Sequence, residues 1–230
     1  MDPGLYIAAS GMLAEQVRQN ALSNNLSNAS TPGYQPQSVA QQSFGAILMS
    51  NSATGQPIGS LDTGVTANTV VTASAPTPLQ QTGQPLDFGV SGTGYFGVRT
   101  SSGVQYTRDG QFQANASNQL VDANGDLVLG QTGQPITVSA KGTVSTSALG
   151  VFNVPNASEQ GNNLFTGAAS GRATGTVESG QLNESGVDAI QTTTDMIASL
   201  RAYQAGQSAI QSIDQTMQEN ATSVGSLGGT

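Results

Sequence analysis

Four carboxylates, Asp87, Asp109, Asp122 and Asp126, fall in one stretch of the 230-residue chain. Two carboxylates flanking a glycosidic bond can act as general acid and as base or nucleophile, so hydrolysis of cell-wall glycan is one reading of them. Such a pair needs a ring-lined cleft, whereas aromatic residues make up 5% of the chain and Trp is absent. Asp is also an ordinary turn residue, because its carboxylate accepts nearby backbone N–H groups. Gly92-Thr93-Gly94-Tyr95-Phe96-Gly97 spells GxGxxG. A dinucleotide loop opens into a helix N-terminus, but Tyr95–Val98 has the pattern of a strand, so turn and bulge glycines are expected there. Asp122-Ala123-Asn124-Gly125-Asp126 offers oxygens like a calcium loop, yet its Gly stands fourth rather than sixth and no Glu stands twelfth. With neither His nor Cys, the chain has no Ser-His-Asp triad, imidazole-bound metal, thiol nucleophile or disulfide. No catalytic residue, cofactor or metal is expected.

The cations point away from nucleic acid. Arg18, Arg99, Arg108, Lys141, Arg172 and Arg201 are scattered, and the net charge is −8, so no basic patch could hold a phosphate backbone. Arg18 follows Glu15 by three residues and suits a surface helix pair. Arg108 precedes Asp109-Gly110 at the lip of an expected hairpin, where a cross-strand or turn ion pair is the ordinary role. Met1–Gly4 shows no basic n-region, and no apolar run approaches the ~18 residues of a membrane span. Neither a Sec-type signal nor membrane insertion is expected, which leaves a cytoplasmic chain or one exported by a machine reading another signal.

The positioning elements follow from composition and period. Ser, Thr, Asn and Gln make up 89 residues, while hydrophobic residues reach 36%. A single large core is not expected. Leu5, Ala8, Ala9, Met12, Leu22 and Leu26 recur at helical spacing, with Asp2 suited to the N-cap and Pro3 to the first turn. That helix would be about 38 Å long and would stop at Thr31-Pro32-Gly33-Tyr34, which fits a type II turn. A second helical pattern runs from about Val187 to Ala221 through Met196, Tyr203, Ile210 and Met217 in steps of seven. Neither helix carries enough apolar surface to offset its ordering entropy, so each needs a partner. Residues 50–85 are rich in Gly and Pro and read as an irregular extended connector with one β-like run, Val65–Ala73. From Leu86 to about Thr176, short alternating stretches and the hairpin signals Asp109-Gly110 and Asn124-Gly125 predict a small antiparallel β domain.

Four of these segments resemble one family. Asn24-Asn25-Leu26-Ser27-Asn28-Ala29-Ser30-Thr31-Pro32-Gly33-Tyr34, preceded by Ala8, Gly11 and Ala14, resembles the N-terminal signature of bacterial flagellar rod and hook proteins. Pro85-Leu86-Asp87 leading into Gly92–Phe96, then Tyr106-Thr107-Arg108-Asp109-Gly110-Gln111-Phe112, resembles the central motif. Asp195-Met196-Ile197 with Arg201-Ala202-Tyr203 resembles the C-terminal helix. Gln35-Pro36 stands where that family usually carries a basic residue. The chain is also shorter than typical relatives, between Val144 and Phe152.

The resemblance implies a basal-body rod subunit of proximal or distal type, exported unfolded by the flagellar type III apparatus. It would assemble with copies of itself and other rod and hook subunits into a helical tube carrying torque from motor to hook. The expected fold is α+β: long terminal helices (1–34 and 183–230) paired as a coiled coil, an extended connector (35–85) and an inserted β-rich domain (86–182). Leu5, Met12, Leu22, Leu26, Leu200, Tyr203, Ile210 and Met217 would form the assembly seam. Asn25, Asn28, Ser30, Thr31, Pro32, Gly33 and Tyr34 would form the turn that sends the chain outward, and Thr107, Arg108, Asp109 and Gly110 the hairpin motif. The alternatives are the glycan hydrolase and a phage-tail or adhesin subunit.

Overall fold

A computed structural model describes residues 3–43, 47–50, 57–61, 64–72, 75–155 and 157–227. The expected cap Asp2 and the last residue of the β-like run, Ala73, lie outside them. The chain divides into two compact units, one of Met1–Asn24, Gln37–Val71 and Ile190–Thr230, the other of Asn25–Pro36 and Thr72–Ala189.

The first unit is built on two helices, α1 (Pro3–Ser27) and α2 (Ala189–Leu227). In α1 only Ile7 and Val17 are β-branched, so little side-chain entropy opposes the helix. The hydroxyls of α2 satisfy themselves: Thr194, Ser208 and Thr216 each donate to the carbonyl four residues back at 2.9–3.0 Å. This lets a helix be polar without being charged. Ser199 Oγ donates to Glu15 Oε2 at 2.6 Å, and a Cβ on Gly206 would lie 2.9 Å from Met12 Cγ. The two contacts run in opposite senses along the helices, so α1 and α2 are antiparallel. Thr192, Met196, Ser199, Tyr203, Gly206, Ile210 and Ile213 follow one another in alternating steps of four and three, all buried or half-buried. Ser199 and Gly206 at the centre of this face bring the backbones close, with Ser199 Oγ within 3.4 Å of Glu15 O.

The described segments of residues 37–72 are strands where an irregular connector was expected. Strand β1 (Gln37–Ser43) pairs with β4 (Val65–Thr72), and β2 (Ile47–Ser50) pairs antiparallel with β3 (Pro57–Leu61). Pro57 does not break β3 because it opens the strand, where a missing N–H costs least. Val65 N–H donates to Ser10 Oγ at 3.2 Å and fixes the start of β4 to α1.

The second unit is antiparallel β. In chain order its strands are β5 (Leu79–Gln81), β6 (Phe88–Ser91), β7 (Tyr95–Thr100), β8 (Gly103–Thr107), β9 (Gln113–Ala114), β10 (Leu120–Val121), β11 (Leu127–Leu129), β12 (Val151–Phe152), β13 (Ser158–Gly161), β14 (Leu164–Thr166), β15 (Thr176–Ser179) and β16 (Gln181–Asn183). The main sheet runs β13-β14-β8-β7-β11-β10-β9, with β12 also on β7, while β15 pairs β6 and β16 pairs β5. Alternation in β7 puts Phe96 and Val98 into one core with Phe88, Phe112, Leu120 and Leu149, and Tyr95 into another with Tyr106 and Phe165. Both faces of this strand are therefore covered. The chain's scarce rings are gathered here: Phe96 meets Phe112 edge-on at 5.2 Å, and Tyr95 lies 5.3 Å from Phe165.

Of the two hairpin signals, one forms. Asn124-Gly125 turns β10 into β11, with Gly125 at φ 89° and Asp122 Oδ1 accepting the N–H groups of Asn124 and Asp126. Asp109-Gly110 does not turn the chain back. The β7–β8 turn lies at Ser101-Ser102, and beyond β8 the chain runs on to bridge Gln111 with Asp87. Gly110 is required for space, since a Cβ there would fall on the Phe88 carbonyl oxygen.

Candidate functional site

Three segments of the β unit lead out of it, at Asn25–Pro36, from Thr72 onward, and up to Ala189. Inside the unit they are bonded to one another. Thr31–Tyr34 closes as a turn, with Tyr34 N–H on Thr31 O at 3.3 Å and Gly33 at φ 66°. Gly33 N–H donates to Asn183 O at 2.8 Å, and Gly186 N–H to Tyr34 O at 2.9 Å. Ser185 Oγ donates to Asn28 O at 2.9 Å. The segment after Thr72 joins through Glu184 N–H on Pro78 O at 2.9 Å and Ala75 N–H on Gln35 Oε1 at 3.1 Å.

The signature turn sits against the central motif. A Cβ at Gly33 would land on the Arg108 carbonyl and come 2.7 Å from Asp109 N. Asn163 Nδ2 donates to Pro32 O at 3.1 Å, while Thr107 Oγ1 donates to Asn163 O at 3.0 Å. Tyr34 is buried and its hydroxyl donates to Asn25 Oδ1 at 3.1 Å. Burial, aided by the charge of Glu159 and opposed by a hydrogen bond with Asn28, pushes this phenol up to about 12. Of the other signature residues, Thr31 Oγ1 donates to Asn28 Oδ1 at 3.1 Å, and Ser30 is exposed.

Arg108 does not make the expected ion pair. Its side chain is 1% exposed and faces carbonyls: Nη1 donates to Ala75 O at 3.0 Å and Nη2 to Gly92 O. Its Nε has no partner among the described residues. Burial lowers its pKa, yet a guanidinium stays charged and its planar fork can hold two carbonyls at once. Arg108 thus clips the segment after Thr72, at Ala75, to the loop before β7. Asp109 accepts Gln111 N–H at 3.0 Å, and its own N–H donates to Thr107 Oγ1 at 3.1 Å. Burial first, with Asp122 and Asp87 adding repulsion, raises its carboxyl to about 6 against the lowering from Gln111.

The other carboxylates hold turns. Asp87 accepts the Thr82 hydroxyl at 2.6 Å, and Asp122 accepts two backbone N–H groups. No three Asp or Glu residues among the described ones are placed to bind a metal ion. Gly92 and Gly94 turn the chain into β7, a strand and not a helix.

The proposed seam residues are distributed unevenly. Leu5, Met12, Leu22, Tyr203 and Ile210 are half-buried, while Leu26, Leu200 and Met217 are exposed. Leu200 points round the helix from the face of Tyr203. Met217 lies on that face but beyond α1, because the observed register puts Pro3 opposite about residues 211 to 215 of α2. Glu15, which pairs with Arg18 at 3.9 Å as expected, also receives Ser199, and neither helix partner was evident from the sequence. Gly206, a glycine inside a helix, was a readable sign of close packing. Asn183 had no such sign: its Oδ1 accepts Val90 N–H at 2.8 Å and its Nδ2 donates to Val90 O at 2.9 Å, replacing a strand partner.

Three family models match the chain in order. "Flagella basal body rod protein" covers residues 5–35, "Flagellar hook protein FlgE/F/G D1 domain" residues 89–146, and "Flagellar basal body rod FlgEFG protein C-terminal" residues 178–224. Flagellar basal-body rod protein FlgG of Caulobacter vibrioides is 30% identical over 252 residues, covering 93% of this chain and 96% of the relative. Flagellar hook-basal body complex protein FlhO of Bacillus subtilis is 29% identical over 268 residues, covering 97% and 99%. Flagellar basal-body rod protein FlgF of Caulobacter vibrioides is 27% identical over 252 residues, covering 99% of each. None of these supports a glycan hydrolase or a phage-tail subunit. With both terminal signatures and the central motif matched along nearly its whole length, the chain belongs to the family of flagellar basal-body rod proteins, which are structural proteins and not enzymes.

Proposed function

We propose that this chain is a structural subunit of the flagellar basal-body rod, packing with copies of itself and neighbouring rod and hook subunits into a tube that carries torque from motor to hook. In this reading α1 and α2 pair as a coiled coil in the tube wall. The seam residues Leu5, Met12, Leu22, Leu26, Leu200, Tyr203, Ile210 and Met217 serve helix contacts within and between subunits. Export through the flagellar type III apparatus is proposed on family membership alone.

The observation that carries the reading is the junction: every segment by which the chain leaves the β unit is bonded to the others there, with Gly33 against Arg108 and Asn183 against Val90. A subunit that transmits torque needs its chain crossings fixed, since a free linker would yield before it passed force on. Affinity-tagged chain should be found by immunogold microscopy in the rod segment of isolated hook–basal bodies, and its deletion should leave cells without a complete rod. Tagged chain confined to soluble or wall fractions, with intact rods in the deletion strain, would refute the reading.

A further inference from the structure

The β unit holds a cavity of about 340 Å³ whose lining includes Gln131, Phe152, Ala169 and Arg172. None of these residues takes part in the junction. Phe152 is its aromatic wall, and the chain makes room for that ring by omitting side chains behind it. A Cβ on Gly97 would come 2.8 Å from Phe152 Cε2, and one on Gly150 would come 2.7 Å from it. The ring also meets Tyr106 at 5.8 Å between centroids, so its place is set by the fold. Phe152 and Arg172 stand opposite each other in an antiparallel bridge, which turns their side chains to the same face.

Arg172 is an exposed cation that the chain orients without neutralising. Its Nη1 donates to Gln131 Oε1 at 3.3 Å, and Gln131 Nε2 donates in turn to Ser147 O at 3.1 Å. Both ends of the amide are engaged, so Gln131 steers the guanidinium. No carboxylate pairs with Arg172 among the described residues, although acidic side chains outnumber basic ones 14 to 6 in the chain. A guanidinium carries five N–H donors in a planar fork that matches the two oxygens of a carboxylate. One donor is used on Gln131, and the others remain for such a group.

We propose that this cavity binds the C-terminal residue of a partner polypeptide, with its free carboxylate on Arg172 and its apolar side chain against Phe152 and Ala169. The volume lies at the small end of the roughly 300–1,000 Å³ of ligand sites, so it suits one residue and not a strand running through. A C-terminal residue carries carboxylate and side chain on the same carbon, and it can meet the cation and the ring together. An Asp or Glu inside a chain would bring the carboxylate but leave the ring without an apolar partner. An acidic sugar would bring hydroxyls, while the amide of Gln131 is already engaged at both ends. All of the lining residues belong to the β unit, so the site stands or falls separately from the rod reading.

The probe is the peptide acetyl-Gly-Gly-Leu with a free carboxylate, titrated into dilute full-length chain and followed by amide NMR. Saturable shifts are expected at Val151, Phe152 and Ala169–Arg172, with binding half-complete below about 10 mM. The same peptide ending in a carboxamide should bind about tenfold more weakly or worse, because the charge-assisted pair is lost. Acetyl-Gly-Glu-Gly carboxamide, whose only carboxylate is a side chain, should be weakened as much. Arg172→Gln should lower affinity for the acid to that of the carboxamide, and Arg172→Lys should fall between. Phe152→Leu should weaken acid and carboxamide alike. Arg99→Gln removes another exposed cation, one bonded to Gly133 O, and should leave binding unchanged. Circular dichroism of each variant verifies its fold. Acid and carboxamide binding equally, the internal Glu peptide binding as well as the Leu acid, an equal loss in Arg99→Gln, or no shift at 10 mM would each overturn the proposal.

Discussion

Gly33→Ala tests whether the signature turn is locked against the central motif or merely passes near it. At φ 66° a side chain costs about 1–2 kcal/mol relative to glycine. The added methyl would meet the Arg108 carbonyl and Asp109 N, which are backbone atoms that no rotamer change can move. Relief requires the turn to lift, which breaks the 2.8 Å bond from Gly33 N–H to Asn183 O, worth about 1–3 kcal/mol once its groups are left buried. The sum is a loss of about 2–5 kcal/mol from the β unit. With a urea slope near 2 kcal/mol/M, a loss of about 3 kcal/mol lowers the midpoint by roughly 1.5 M. Tyrosine fluorescence can follow this, because Tyr34, Tyr95 and Tyr106 are buried in the unit and no Trp obscures them. Gly11→Ala is the control: nothing lies within 4 Å of its Cβ, and in a helix interior the change should stabilise by about 0.5–1 kcal/mol. A Gly33→Ala midpoint within 0.2 M of the parent would refute the locked junction.

Asp109, raised to about 6 from an ordinary 3.8, keeps its proton in the folded state after the unfolded chain has lost it. Stability is therefore full below about pH 4 and falls as pH rises toward and past 6, by on the order of 3 kcal/mol from this group. Asp109→Asn should flatten that part of the pH profile, and an unchanged slope in urea titrations between pH 4 and 7 would count against it. Asn183→Ala should cost about 2–4 kcal/mol in urea unfolding, because it strands both the N–H and the carbonyl of buried Val90. Gly206→Ala should stay within about 1 kcal/mol of the parent by thermal melting, as the Met12 side chain can swing aside and the helix gains propensity. Gly206→Phe should separate the helices and expose Tyr203, which tyrosine quenching would register.

The local elements were legible where chemistry and period agreed. Pro32-Gly33 announced its turn because few other sequences accept that geometry, and Asn124-Gly125 did so for the same reason. The helices showed in their spacing. What failed was tertiary. Asp109-Gly110 carries the signature of a hairpin, but its glycine answers to Phe88, which lies far away in sequence. Arg108 invited a carboxylate partner, yet it met the carbonyls of Ala75 and Gly92, which come from segments remote in sequence. The strands between Gln37 and Thr72 were hidden because Pro57 and Gly59 lie in β3 and Gly64 stands just before β4. The inward face of α2 was missed at Ser199 and Gly206 because close packing there uses small residues, which hydrophobic spacing does not count.

The two helices differ in length, 25 residues against 39, and they are not flush. Past about residue 213 the joining face of α2 continues to Met217 with no α1 of its own chain beside it. In the proposed rod the surplus would lie alongside a neighbour. Flush pairs would stack with all their joints in one transverse plane, and a twisting shaft would shear there first. Unequal ones would overlap as bricks do in a bonded wall, with each joint set against the solid middle of another subunit.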